Sequence, residues 1–130
     1  MNKLPYLLLR LLVGFSFFGH GLVRLPKLAG FSTWMTNSFA KSMLPEALVR
    51  PFSYALPIAE FAIGLLLIIG LFTRQALVAG AVVMMMLIFG TCMIENWEAI
   101  PTQLLHGAIV VVLLQFISAN DYSVDRRLRS

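Results

Sequence analysis

The sequence predicts an all-α membrane protein: a four-helix transmembrane bundle, with a short amphipathic interfacial helix between helices 1 and 2. Three observations carry this. The chain holds four long apolar segments, residues 4–25, 52–72, 76–94 and 101–119, each close to the ~20 residues that a helix needs to cross a bilayer. Hydrophobic residues make up 59% of the chain and charged residues 12%, about half the charged share of a soluble domain. The mean hydropathy is +0.86, more apolar surface than a small domain hides in water. Four spans and their loops use nearly all of the 130 residues, so the expectation is one domain over residues 1–130.

Taken in order, the first segment has Pro5 in its first turn, where the missing N–H costs nothing, and Pro26 stops it. A charge before an apolar run also begins signal peptides. This run lacks a small-residue cleavage pattern and carries Arg10 and His20, so it reads as a retained helix. Residues 26–50 change character. Leu28, Phe31, Met35, Phe39 and Met43 recur at helical spacing among polar neighbours. This predicts a helix over 31–43 lying in the interface or capping the bundle, with Trp34 at headgroup depth. Pro57 should kink the second span. Thr73-Arg74-Gln75 is too short a link for anything but an antiparallel pair, and a polar loop with Trp97 leads to Pro101 and the fourth span.

Four spans place both termini on one side. That side carries six basic residues, Lys3, Arg10, Arg74, Arg126, Arg127 and Arg129; the other carries four, Arg24, Lys27, Lys41 and Arg50. The bias predicts both termini in the cytoplasm and a cell inner (cytoplasmic) membrane, multi-pass location. Arg10 should snorkel to the inner face. The net charge of +4 forms no basic stripe with interleaved aromatics, so nucleic acid is not an expected partner. The single cysteine, Cys92, excludes an intrachain disulfide and a CxxC redox motif.

Ionisable residues inside apolar spans mark sites by default. With the termini inside, His20 and Arg24 fall near the outer end of the first helix, Glu60 two turns into the second, Thr91 and Glu95 near the outer end of the third, and Gln103 and His106 at the outer start of the fourth. A polar pocket should therefore open outward above an apolar plug. Ser16, His20 and Arg24 stack at four-residue steps. Glu60 and His20 are the candidate catalytic residues; Arg24, His106, Glu95, Gln103 and Thr91 are candidates for ligand binding. Each also has a plainer role: Arg24 as an interfacial charge, the histidines as hydrogen bonds across the bundle, Glu60 as half of an ion pair. The Met84-Met85-Met86 run reads as adaptable packing. Two histidines on different helices raise a haem or metal site, but no metal-spacing motif such as HExxH accompanies them, and no metal ligand is assigned.

Three runs together carry a resemblance. LLLRLLVGFSFFGHGLVRL, AEFAIGLLLIIGLFTRQAL and ANDYSVDRRL resemble, in order and spacing, the DoxX family of small bacterial membrane proteins. The matching positions are Arg10, Gly14, Gly19, Gly21 and Arg24 in the first, Glu60, Gly64 and the exit Gly70-Leu71-Phe72-Thr73-Arg74 in the second, and Tyr122, Ser123 and Asp125 in the tail. Arg24 stands where the family usually has Lys, and the tail lacks a Gly-Pro-Gly before Tyr122. The family is similar to the DoxD subunit of a thiosulfate:quinone oxidoreductase. The resemblance implies a quinone as cofactor and a redox partner subunit beside the lipid bilayer; haem, raised by the two histidines, is the lesser alternative.

The expected function is thus a membrane subunit of a quinone-linked redox system. The rival is a non-enzymatic small-molecule or lipid-binding transporter subunit or membrane scaffold, for which homo-oligomers are expected. The sequence contains no electron-carrier motif of its own, so a redox role needs a bound group or a partner.

Overall fold

A computed structural model describes residues 2–129. All regular structure among them is helical: α1 Lys3–Arg24, α2 Leu28–Ser38, α3 Glu46–Ile69, α4 Thr73–Met93, α5 Ile100–Gln115 and α6 Val124–Arg129, with 3-10 turns at Leu25–Lys27, Trp97–Ala99 and Ile117–Ala119. Four helical stretches are long and apolar enough to span a bilayer. Their outward faces carry Leu12, Phe15, Phe89 and Leu105, each more than half exposed, a surface that lipid covers and water would not tolerate. In the stretch Trp97–Gln115 only 11% of the most apolar window is buried inside the protein, so this helix is the least covered of the four by the rest of the chain.

The long helices close a ring: α1 packs on α3, α3 on α4, α4 on α5, and α5 back on α1. Lipid tails are as apolar as leucine, so the bundle is held by close packing and internal hydrogen bonds rather than by burial from water. The α1–α3 seam shows the packing. A Cβ on Gly21 would lie 2.4 Å from the Phe61 backbone nitrogen, and one on Gly64 would lie 2.2 Å from that of Phe18. The two backbones touch because neither position has a side chain. Val13, Phe17, Ile63, Leu67, Leu77, Val83 and Val110 fill the apolar middle.

The end that holds the termini is closed by a buried polar network. Arg10 is only 2% exposed. It donates from Nη1 to Asn120 Oδ1 at 2.5 Å and from Nη2 to the Tyr122 carbonyl at 2.9 Å. Asn120 passes a hydrogen bond to Thr73 Oγ1 at 3.0 Å. The Asp125 carboxylate accepts from the Phe72 and Thr73 backbone N–H groups at 2.7 and 2.8 Å, occupying donors that the start of α4 leaves unpaired. Tyr6 donates its hydroxyl to the Leu113 carbonyl at 2.7 Å, and Lys3 pairs with Asp121 at 2.7 Å. Gly70 ends α3 at φ +74°, and a Cβ there would lie 2.5 Å from Ser123 Cβ. The tail lies directly on this turn.

Three expectations change. Arg10 does not snorkel; it turns inward, because the tail brings it a carbonyl and a side-chain amide oxygen. The helix expected over 31–43 is α2, which starts at Leu28 and stops at Ser38. Beyond it, Ser42 Oγ donates to the Phe39 carbonyl and accepts from the Leu44 N–H, a local turn that competes with further helix. Finally, α3 begins at Glu46 and runs through both Pro51 and Pro57, so the second span starts six residues before residue 52. Its first turn carries an ion pair between Glu46 and Arg50, and α2 packs against this extension, with Ser53 Oγ donating to Ser32 Oγ at 2.6 Å.

Candidate functional site

At the end of the bundle opposite the termini lies a cavity of about 260 Å³. Every long helix contributes to it, because polar residues on each point inward at similar depth. From α1 come Ser16, Phe17, His20 and Arg24; from α3, Phe52, Leu56 and Glu60; from α4, Met84, Met86, Leu87, Gly90 and Thr91; from α5, Thr102, Gln103 and His106. Helix α2 supplies Phe31, Trp34 and Met35, which with Phe39 form one aromatic and thioether wall.

Glu60 is 4% exposed. Among the described residues its one hydrogen-bonding partner is Arg24, with Nη1 to Oε2 at 3.4 Å. A tight guanidinium–carboxylate bond is about 2.7–2.9 Å, so this contact is loose. Arg24 also lies over the Phe31 ring, 4.6 Å from its centroid, a cation–π arrangement. Its guanidinium is therefore held from below by an aromatic face and from the side by a carboxylate, with donors left for a third group.

The two histidines meet through Ser16. The Ser16 hydroxyl is 2.6 Å from His106 Nε2, and the Ser16 carbonyl is 2.6 Å from His20 Nδ1. His106 Nδ1 lies 3.0 Å from the Thr102 carbonyl. Carbonyls only accept, so the Nδ1 atom of each ring carries the proton in these contacts, and a neutral His106 then accepts the Ser16 hydroxyl at Nε2. The rings stand edge to face with centroids 6.3 Å apart. His20 Nε2 makes no hydrogen bond among the described residues and is available to a ligand. On the α4–α5 side, Gln103 Nε2 donates to Thr91 Oγ1 at 2.9 Å, while the buried Gln103 Oε1 is left without a partner.

The structure thus brings Glu60, His20, Arg24, His106, Gln103 and Thr91 to one cavity. Glu95 is not with them. It sits exposed just past α4, at φ 57°, where the backbone turns back toward α5 and carries the side chain away from the lining. Spacing alone put Glu95 one turn beyond Thr91, which holds only while the helix continues; α4 ends at Met93. Capping of the bundle by α2 is one of the two placements that its amphipathic pattern allows, but its role as a wall of the cavity was not legible, since the pattern shows that a face is covered without showing by what. Asn96 also lines the cavity, from a loop that gave no signal beyond its polarity.

The arrangement can hold a flat group with acceptors at its rim. Arg24 and His20 offer donors, Glu60 a carboxylate, and the phenylalanines and methionines an apolar slot. It does not suit haem. Both ring nitrogens of His106 are bound to protein groups, so a bis-histidine iron would have to displace Ser16 or the Thr102 carbonyl. Among the described residues no three histidine, cysteine or carboxylate side chains cluster in a way that would hold a metal ion.

Comparison with known proteins agrees with this architecture at the family level. The DoxX family model matches residues 6–93, which takes in α1 to α4 and hence Arg10, His20, Arg24, Glu60 and Thr91, and leaves Gln103, His106 and the tail outside. No curated protein and no solved structure is significantly similar to the chain. The match covers well over half of the sequence, and the four apolar helices and glycine-lined seam are those of a multi-pass membrane protein: the chain belongs to the DoxX family.

Proposed function

We propose that the protein is a membrane subunit of a quinone-linked redox system, seated in the inner membrane with both termini in the cytoplasm, and that the outer cavity receives the quinone head group. The observation that carries this reading is the loose Arg24–Glu60 contact at 3.4 Å in a cavity with aromatic walls. It places a fixed donor beside a buried carboxylate, with apolar surface around them.

A bound quinone supplies two-electron, two-proton chemistry; this chain's residues bind, orient and manage protons. Arg24 donates to one ring carbonyl oxygen while Phe31 holds its guanidinium. His20, with Nδ1 tied to the Ser16 carbonyl, presents Nε2 to the cavity for a second carbonyl or a proton. Glu60 gives or takes the proton that accompanies electron transfer at the neighbouring oxygen. The apolar walls keep the surroundings of the buried Glu60 low in dielectric, which strengthens its contacts. Electrons come from a partner subunit, as the chain has no carrier motif.

The test is chemical. Protein purified from native membranes is extracted with organic solvent, and the extract is assayed for quinone by its redox-sensitive ultraviolet absorbance. The expected result is quinone in the wild type and its loss in Glu60→Gln. An extract free of quinone, together with no binding of added quinone in vesicles, removes the reading.

A further inference from the structure

We infer that the occupant of the cavity is an amphiphile whose chain leaves sideways between α3 and α4: a long-tailed isoprenoid quinone rather than a soluble, head-group-only one. This rests on the quinone reading and specifies its substrate class. A second, apolar groove of about 240 Å³ lies at the same end of the bundle. Met35, Phe39, Phe52, Met86 and Gly90 line both the groove and the polar cavity, so the two spaces share one wall and run into each other.

The groove has the chemistry of a chain site. Beyond the shared wall it is bounded only by apolar side chains, including Leu48 and Phe89, both more than half exposed. Its mouth is therefore apolar, a rim that suits a lipid-like chain. Gly90 stands at the junction. A Cβ there would already lie 3.2 Å from the Phe39 ring, so a larger residue would narrow the passage. A ligand that was polar throughout would have no use for an apolar exit, and a lipid without a polar head would leave the remaining Arg24 donors and His20 Nε2 unused. A head with two carbonyls on an unbranched or isoprenoid tail satisfies both spaces.

Because lipid is as apolar as the groove, the tail gains by fit and not by escape from water. The comparison must therefore be made at equal mole fraction in the membrane. The protein is reconstituted in phosphatidylcholine vesicles, and binding of a long-tailed ubiquinone is compared with that of a ubiquinone analogue carrying only a methyl group in place of the tail. The expected result is at least roughly tenfold tighter binding of the tailed form, and its reduction to the level of the analogue in Leu48→Trp, which fills the groove without touching the polar cavity. In the wild type, a quinone with a photoreactive group on its tail should label Leu48 or Phe89, which line the groove and not the polar cavity; this tests the path without any variant. Equal binding of the two forms, unchanged in Leu48→Trp, overturns the groove while leaving the head-group site in place. Binding of neither removes the head-group site and the groove together.

Discussion

Arg24 and Glu60 face each other across the α1–α3 seam at 3.4 Å, and they are unequally buried: the Arg24 side chain is 33% exposed, that of Glu60 5%. The pair is therefore asymmetric. Arg24 has water and the Phe31 ring as alternatives. Glu60 has only Arg24 as a hydrogen-bonding partner among the described residues.

Glu60→Gln should consequently leave a folded protein, with a stability loss of about 1 kcal/mol or less, because Arg24 remains solvated and stacked. Quinone binding should fall by about tenfold or more as the charge-assisted contact and proton carrier are lost. Arg24→Gln should be the more damaging exchange, costing about 3 kcal/mol, since it strands a buried carboxylate. Unfolding midpoints in detergent and quinone titrations measure both. A Glu60→Gln variant that is fully active and equally stable would remove the basis for the site.

The opposite end should respond in stability alone. Arg10→Ala leaves Asn120 and the Tyr122 carbonyl without their donor and should cost about 3 kcal/mol. Asp125→Ala uncaps α4 and should cost about 1–2 kcal/mol. In the protein that remains folded, quinone affinity should stay near the wild-type value, because this network lies across the apolar middle from the cavity. A large affinity change with no shift in melting would contradict this division.

Glycine replacements should split by location. Gly64→Ala drives a methyl group into the Phe18 backbone, 2.2 Å away, and should abolish folding or separate α1 from α3. Gly19 and Gly30 have nothing within 4 Å of a built Cβ. At those helical positions alanine should raise stability by roughly 0.5–1 kcal/mol. The yield of folded, monodisperse protein distinguishes the two outcomes.

Orientation is open to a direct check. A reporter fused after Ser130, which lies outside the described residues, should be active only in the cytoplasm. Trp34, more than half exposed on α2, should be quenched most strongly by probes at headgroup depth. The helical run from Lys3 to Ser38 has 36 residues, about 54 Å if straight at 1.5 Å per residue, well beyond a bilayer core of about 30 Å. Efficient quenching of Trp34 at the bilayer centre would show that α2 enters the membrane instead.

Much of this was legible in the chain. Hydropathy over some 20 residues fixes a membrane helix locally, because every backbone group in lipid must be paired within its own segment. That logic sets the number of spans, their antiparallel order and the depth of each polar residue. It placed His20, Arg24, Glu60, Thr91, Gln103 and His106 at one level before any packing was known, since depth is counted along a helix axis. What a helix axis does not contain is rotation, termination and the partner across a gap. Glu95 left the site because α4 ended two residues earlier, a matter of loop geometry. Arg10 turned inward because Asn120 and Tyr122, more than a hundred residues away, return to meet it. Ser16 joins two histidines because α1 and α5 are neighbours in the ring. The sequence by itself determined the class, the spans and the polar layer through local solvation. Only the tertiary structure decided which side chains bond to which, because those contacts form between helices and depend on how closely two glycine-lined backbones approach.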